Sequence, residues 1–95
     1  MDELLLSKVR LAVVAELLAA EWVTFSDLQK SASTTNGNLG GHLGKLVAAD
    51  YVQEEKRFVG RRPQTRYRLT GSGRAALLRH VAALQELVDS GGEAS

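Results

Sequence analysis

Cysteine is absent from the 95-residue chain. That excludes disulfides and thiolate metal sites. Histidine occurs only as His42 and His80, enough for a partial metal site at most, so neither a metal nor a cofactor is expected. No apolar run reaches the ~18 residues of a membrane-crossing helix, and the N-terminus lacks the layout of a signal peptide. The default expectation is a cytoplasmic protein with no membrane partner. Catalytic signatures are missing as well: there are no paired carboxylates at site spacing, no nucleophile–base constellation and no phosphate loop. Ser26, His42, Asp50 and His80 are the polar candidates, and no spacing in the sequence joins them, so an enzyme is not expected. Net charge is nearly absent too, at +1.

What charge there is lies unevenly. Lys56, Arg57, Arg61, Arg62, Arg66 and Arg68 follow one another with no acidic residue between them, whereas the acids gather towards the two ends, from Asp2 to Glu21 and from Glu86 to Glu93. A basic patch on a near-neutral chain suits one face that binds a polyanion. The alternative is a solvated hairpin that merely carries arginine. A chain of this length makes one domain with a single modest core.

Residues 3–20 contain neither Gly nor Pro and are rich in Leu and Ala, which predicts a helix. Leu4, Leu11 and Leu18 recur every seven residues beside a stripe of Leu6, Val9, Val13 and Leu17. Apolar residues over so wide an arc indicate a helix sandwiched in a core or between two protomers. Trp22 to Phe25 reads as a brief strand, Ser26 as a cap, and Asp27 to about Ala32 as a short helix anchored by Leu28. Ser33 and Thr34 make a turn. Thr35 is the expected N-cap of a helix over 36–49, with Leu39, Leu43, Leu46 and Val47 facing inward. Asn36, Gly37, Asn38, Gly40, Gly41, His42 and Lys45 face away. Glycines inside a helix cost about 1 kcal/mol each relative to Ala. Either the backbone must approach another surface closely, or the start of this helix frays.

Tyr51 to Phe58 is the first long strand, and Gly60 and Pro63 turn the chain over 59–64. Thr65 to Leu69 is the return strand, with Tyr67 and Leu69 on one face and Arg66 and Arg68 on the other. Those two arginines can serve a nucleic acid or pair with Glu54 and Glu55 opposite; the sequence favours neither. Thr70 caps a last helix to about Val88, on which Leu77, Val81, Leu84 and Val88 form a coiled-coil-like seam. Residues 90–95 read as a flexible tail.

The order α-β-α-α-β-wing-β-α gives an α+β, mainly α, fold: a winged helix-turn-helix. In such a unit the second of two short helices lies in the major groove. Its small outer residues permit close approach, Asn36 and Asn38 suit adenine, and Thr35 with the free N–H groups suits a phosphate. His42 and Lys45 could reach backbone or base; His42 could equally be a surface residue without a partner. Gly60-Arg61-Arg62-Pro63 would be the wing, its guanidinium forks suited to phosphate or a narrow minor groove.

From about Arg10 to Leu87 the chain resembles the small winged-helix DNA-binding domain of MarR/ArsR-like transcriptional regulators, most of all the compact single-domain type. The residues that carry this are Phe25-Ser26-Asp27-Leu28, then Gly37-Asn38-Leu39, His42-Leu43 and Lys45-Leu46, then Gly60-Arg61, Pro63, Thr65, Tyr67, Leu69-Thr70 and Gly73. The resemblance implies a homodimeric DNA-binding regulator over 1–89, its first and last helices forming the dimer interface through Leu4, Leu11, Leu18, Leu77, Val81, Leu84 and Val88. It implies double-stranded DNA as partner, through Thr35, Asn36, Gly37, Asn38, Gly41, His42, Lys45, Arg61, Arg62 and Arg66. Many relatives carry Arg or Lys where Gly41 stands, which points to modest base readout here. Metal sensing is not carried over, because His42 and His80 stand unaccompanied at helical spacing. A small-molecule effector is compatible with the resemblance, but no residue argues for one. The competing reading is a winged helix used as a protein–protein interaction subunit, which would have little reason to keep the wing arginines without interleaved acids.

Overall fold

A computed structural model describes residues 2–32 and 34–93. A 3-10 segment, Glu3–Leu6, precedes α1 (Lys8–Ala19), β1 (Val23–Thr24), α2 (Phe25–Ser31), α3 (Asn36–Ala48), β2 (Val52–Val59), β3 (Arg62–Leu69) and α4 (Gly71–Glu93). The fold is the mainly helical winged helix that the order of elements predicts. Among the described residues, no helix is long and apolar enough to cross a membrane.

Capping explains where the boundaries depart from expectation. The helix expected over 3–20 is two elements. The Asp2 carboxylate accepts from the Leu4 N–H at 2.9 Å, and the Ser7 hydroxyl accepts from the Arg10 N–H at 3.2 Å to start α1. Side chains that take up orphan backbone donors fix a helix start wherever they stand. The same competition moves the start of α2. Thr24, not Ser26, is its cap, accepting from the Asp27 N–H at 3.1 Å, so Phe25 is helical rather than strand. Thr35 caps α3 as expected, accepting from the Asn38 N–H at 3.2 Å. Ser33, read as part of the turn, lies outside the described residues.

The end of α3 is a left-handed cap. Asp50 has φ 62°, its N–H donates to the Val47 carbonyl at 3.0 Å, and the Tyr51 N–H donates to the Leu46 carbonyl at 3.0 Å. These paired bonds satisfy carbonyls that a helix end otherwise leaves open. The next element locks onto this corner. The Thr70 hydroxyl donates to the Asp50 carbonyl at 2.6 Å and accepts from the Gly73 N–H at 3.0 Å, which makes Thr70 the cap of α4.

The three strands form an antiparallel sheet in the order β1-β3-β2. β2 and β3 pair from Val52↔Leu69 out to Val59↔Arg62, leaving only Gly60 and Arg61 to turn. The turn is therefore tighter than the 59–64 expected. Gly60 takes φ 64° at its first position, as a two-residue hairpin of this kind requires. Pro63 is a strand residue opposite Phe58, not a turn residue. A closing hydrogen-bonded pair at the turn puts the next pair in the non-bonded position, where a missing N–H costs no ladder bond.

Leu5, Val14, Leu17, Leu28, Leu39, Leu43, Leu46, Val52 and Tyr67 make one core between the helices and one face of the sheet. Fully burying such a side chain stabilises by about 1.5–3 kcal/mol. Leu77 belongs to this core, and Leu11 packs against it from a half-buried position, so neither is simply presented to a partner. α4 runs on to Glu93, beyond the end expected near Val88 and into the stretch expected to be tail. Extending a formed helix adds one hydrogen bond per residue fixed, so a few poor formers do not stop it. Ala94 and Ser95 lie outside the described residues. The molecule measures 59 × 26 × 21 Å, and the second half of α4 overhangs its body.

A Cβ at Gly73 would lie 2.1 Å from the Tyr51 carbonyl oxygen and 2.8 Å from Leu69 Cδ1. Gly73→Ala is therefore expected to destabilise the fold by about 3 kcal/mol, the upper end of overpacking costs, because backbone rather than a movable side chain must shift. Urea denaturation of the variant beside the parent measures this; equal midpoints would show that α4 can re-seat freely.

Candidate nucleic-acid interface

The recognition-helix candidates do not stand alike. Around α3, Leu39, Leu43 and Leu46 are buried, while Asn36, Gly37, Asn38, Gly40, Gly41, Gly44 and Lys45 are exposed. Gly37, Gly41, Gly44 and Ala48 follow one another down the outermost line of the helix, at the i, i+4, i+7 spacing of one face. A Cβ at Gly37, Gly40, Gly41 or Gly44 would meet nothing within 4 Å. Packing inside the chain therefore does not require these glycines. They leave the outer backbone bare, flanked by Asn38 and Lys45. Gly44 belongs to this line and was missed in the sequence reading, although the same spacing would have found it.

Two candidates are engaged internally. The Gln29 side-chain amide donates to the Asn36 Oδ1 oxygen, tying the first turn of α3 to α2. His42 is half-buried. The Arg10 guanidinium donates to its Nδ1 at 2.9 Å and to the Leu4 carbonyl at 2.7 Å. A guanidinium can only donate, so His42 Nδ1 is the acceptor and its proton sits on Nε2. His42 is thus a strut between α3 and α1, neither the partnerless surface residue nor a freely available base reader. Partial burial first, then the Arg10 and Lys45 charges, hold its pKa below the usual value.

The hairpin divides its charges the same way. On the outer sheet face Arg66 donates to Glu55 at 2.7–2.8 Å, and Arg68 donates to the Gln53 side chain at 2.6 Å. Both guanidiniums lie over the Trp22 ring, at 4.1 and 4.9 Å from its centre. Cation–π contact holds both in place, with an ion pair for Arg66 and a neutral hydrogen bond for Arg68. Arg66 therefore stands apart from the wing tip, and of the two readings left open for it, pairing across the strands is the one observed. Glu54 turns the other way and accepts from the Tyr67 hydroxyl at 2.9 Å; burial, that bond and the Glu54 charge push the Tyr67 pKa up. Trp22 as a platform was not foreseen, and only the register of β1 on β3 places it there. Lys56, Arg57, Arg61 and Arg62 are exposed, and among the described residues the single ion pair is Arg66–Glu55. Four unpaired cations thus project along one hairpin, on a body whose remaining formal charges sum to −3. This surface can attract phosphate.

Residues 9–88 match the family model described as winged helix DNA-binding domain. The chain belongs to that family. An uncharacterized protein of Methanocaldococcus jannaschii is 31% identical over 81 residues, which cover 85% of this chain and 88% of that one. Among solved structures, a transcriptional regulator homologue of Pyrococcus horikoshii superposes with a TM-score of 0.85 at 29% identity, over 94% of this chain and 88% of its own. MarR of E. coli superposes at 0.67 and 20% identity, over 93% and 82%, a likeness of fold. The family is described by DNA binding, and the Pyrococcus protein as a transcriptional regulator homologue; neither description names an enzyme. The winged helix thus carries a DNA-binding regulatory function, and the bare face of α3 and the unpaired wing cations are its candidate contact surfaces.

Two predictions follow from the state of α3. Gly41→Ala and Gly44→Ala should each raise stability by up to about 1 kcal/mol, the helix-propensity gain at an open position, while weakening DNA binding; thermal melts and DNA titrations on the same samples would show the opposite signs. The His42 pKa is lowered on folding, so its contribution to stability is present above about pH 6.5, the unfolded value, and is lost as pH falls through the folded value. Parent protein should lose more stability than His42→Gln between pH 7.5 and 5.5, measured by urea midpoints; parallel loss would mean that the Arg10 bridge does not bias the protonation.

Proposed function

We propose that the chain is a homodimeric, DNA-binding transcriptional regulator that lays α3 in the major groove and the wing, residues 59–64, on the backbone or minor groove. The observation that carries this reading is the pairing of a side-chain-poor outer face on α3 with four unpaired cations on the hairpin of the same domain. Asn36 and Asn38 offer amides suited to adenine edges, and Lys45, Arg61 and Arg62 suit phosphates. With little on its outer face to read bases, α3 favours modest sequence preference and a large electrostatic share of affinity. The partners proposed are double-stranded DNA and a second copy of the chain.

Dimerisation is supported by what the fold leaves uncovered. On α4, Val81 is 51% and Val88 67% exposed, with Leu84 and Leu87 beside them. Leu18 and Leu6 are also exposed. An apolar stripe on an overhanging helix calls for cover, and a two-fold pairing of terminal helices supplies it. Half-sites would then lie about one helical turn of DNA apart.

Fluorescence anisotropy on mixed-sequence duplexes across a salt series, with mass measured in the same buffer, tests both halves. A dimer is expected, with log K falling by roughly 0.9 per phosphate neutralised. Arg61→Ala with Arg62→Ala should weaken binding to every sequence and flatten that slope, whereas Leu84→Asp with Val88→Asp should yield monomers. Absence of binding at ~50 mM salt, where non-specific contacts register, would turn attention to protein partners instead.

A further inference from the structure

Phe58 is 74% exposed, the most exposed of the large apolar side chains in the described residues. Its position is not accidental to the hairpin. Val52, Glu54, Lys56 and Phe58 alternate onto one side of β2, opposite Leu69, Tyr67, Thr65 and Pro63 on β3. Val52 and Tyr67 are buried, so this is the side of the sheet that carries the helical core. Where the hairpin leaves the body, the same side continues as a cross-strand Phe58–Pro63 pair facing water. Lys56 shares that side, Arg57 and Arg62 stand on the other, and Arg61 is at the tip. An exposed apolar pair with Lys56 on its own side, Arg61 at the tip and Arg57 and Arg62 on the reverse of the same hairpin fits a ligand that offers apolar faces between anionic groups. In duplex DNA the deoxyribose rings lie between the phosphates in that way.

We propose that Phe58, seated on Pro63, packs against the deoxyribose rims of the minor groove while Arg61 enters the groove and Arg57 and Arg62 engage flanking phosphates. The proposal rests on the DNA-binding reading above and adds a positioning residue to it. The dimensions agree. Phe58 stands two residues behind the Gly60–Arg61 turn, roughly 7 Å at strand rise. The minor groove is about 7.5 Å deep. An Arg61 guanidinium that reaches the floor leaves the hairpin backbone at the rim, so Phe58 lies against the outer sugars, too far back to wedge between bases. Contact with sugars carries no base identity, so Phe58 would strengthen binding to all duplexes alike.

The test separates apolar from ionic contact. Salt-series anisotropy is run on parent, Phe58→Ala, Phe58→Leu and Arg61→Ala proteins, with melts and masses for each. Phe58→Ala is expected to lower affinity roughly tenfold at every salt concentration, the scale of a partly buried aromatic side chain, with an unchanged salt slope. Phe58→Leu should restore most of the loss, and Arg61→Ala should instead flatten the slope, by up to about 0.9 for each of the two copies in the dimer. Melting temperatures should match the parent, since Phe58 packs on no core residue. Unchanged affinity of Phe58→Ala, or a changed mass of the free variant, overturns the proposal, the latter by showing that Phe58 meets a second copy. If the parent itself fails to bind DNA, the DNA reading falls and takes this one with it.

Discussion

The β2–β3 register is the constraint on which the rest depends. Pairing Val52 with Leu69 and Glu54 with Tyr67 sends Val52 and Tyr67 into the core and Arg66 and Arg68 outward over Trp22. A slip of one residue would exchange these sets and bury guanidiniums among leucines. The tight turn at Gly60 pins the register from one end. From the other, the Asp50–Thr70–Gly73 corner clamps the end of α3, the start of β2 and the start of α4 together. The hairpin then projects its unpaired cations in one fixed direction, on the same rigid unit that carries α3.

α3 is held by polar struts and left nearly empty outside. Thr35 caps it, Gln29 ties Asn36 to α2, and Arg10 joins His42 to α1 and the Leu4 carbonyl. These contacts, with the buried leucines beneath, fix its orientation. Its outer glycines contribute no packing and lower helix propensity, a local departure from stability of the kind found at functional surfaces. Arg10 also links the N-terminal segment to α3.

Much of the arrangement was legible in the chain. Apolar spacing revealed α1, α3 and α4, strict alternation revealed β3, and Thr35 and Thr70 announced the caps they provide. The boundaries were less legible where two capable caps stood close together. Ser7, Thr24 and Ser26 could all accept a helix N–H, and neighbouring packing decides among such rivals. The length of α4 was underestimated because composition at Ser90–Gly92 says little about a helix already under way.

By itself the sequence determined the fold and where the basic charge accumulates, because periodicity and charge order are one-dimensional properties of the chain. Only tertiary structure decided which charges are free. Arg66 and Arg68 share one basic run with Arg61 and Arg62, and the sequence left their pairing open; cross-strand partners and Trp22 engage them and leave Arg61 and Arg62 to solvent. The same holds for His42, whose partner Arg10 lies thirty-two residues away, and for Phe58, whose alternation assigns it to the core side of the sheet although the core ends before reaching it. Partnership depends on distances across the fold, and no local pattern along the chain encodes them.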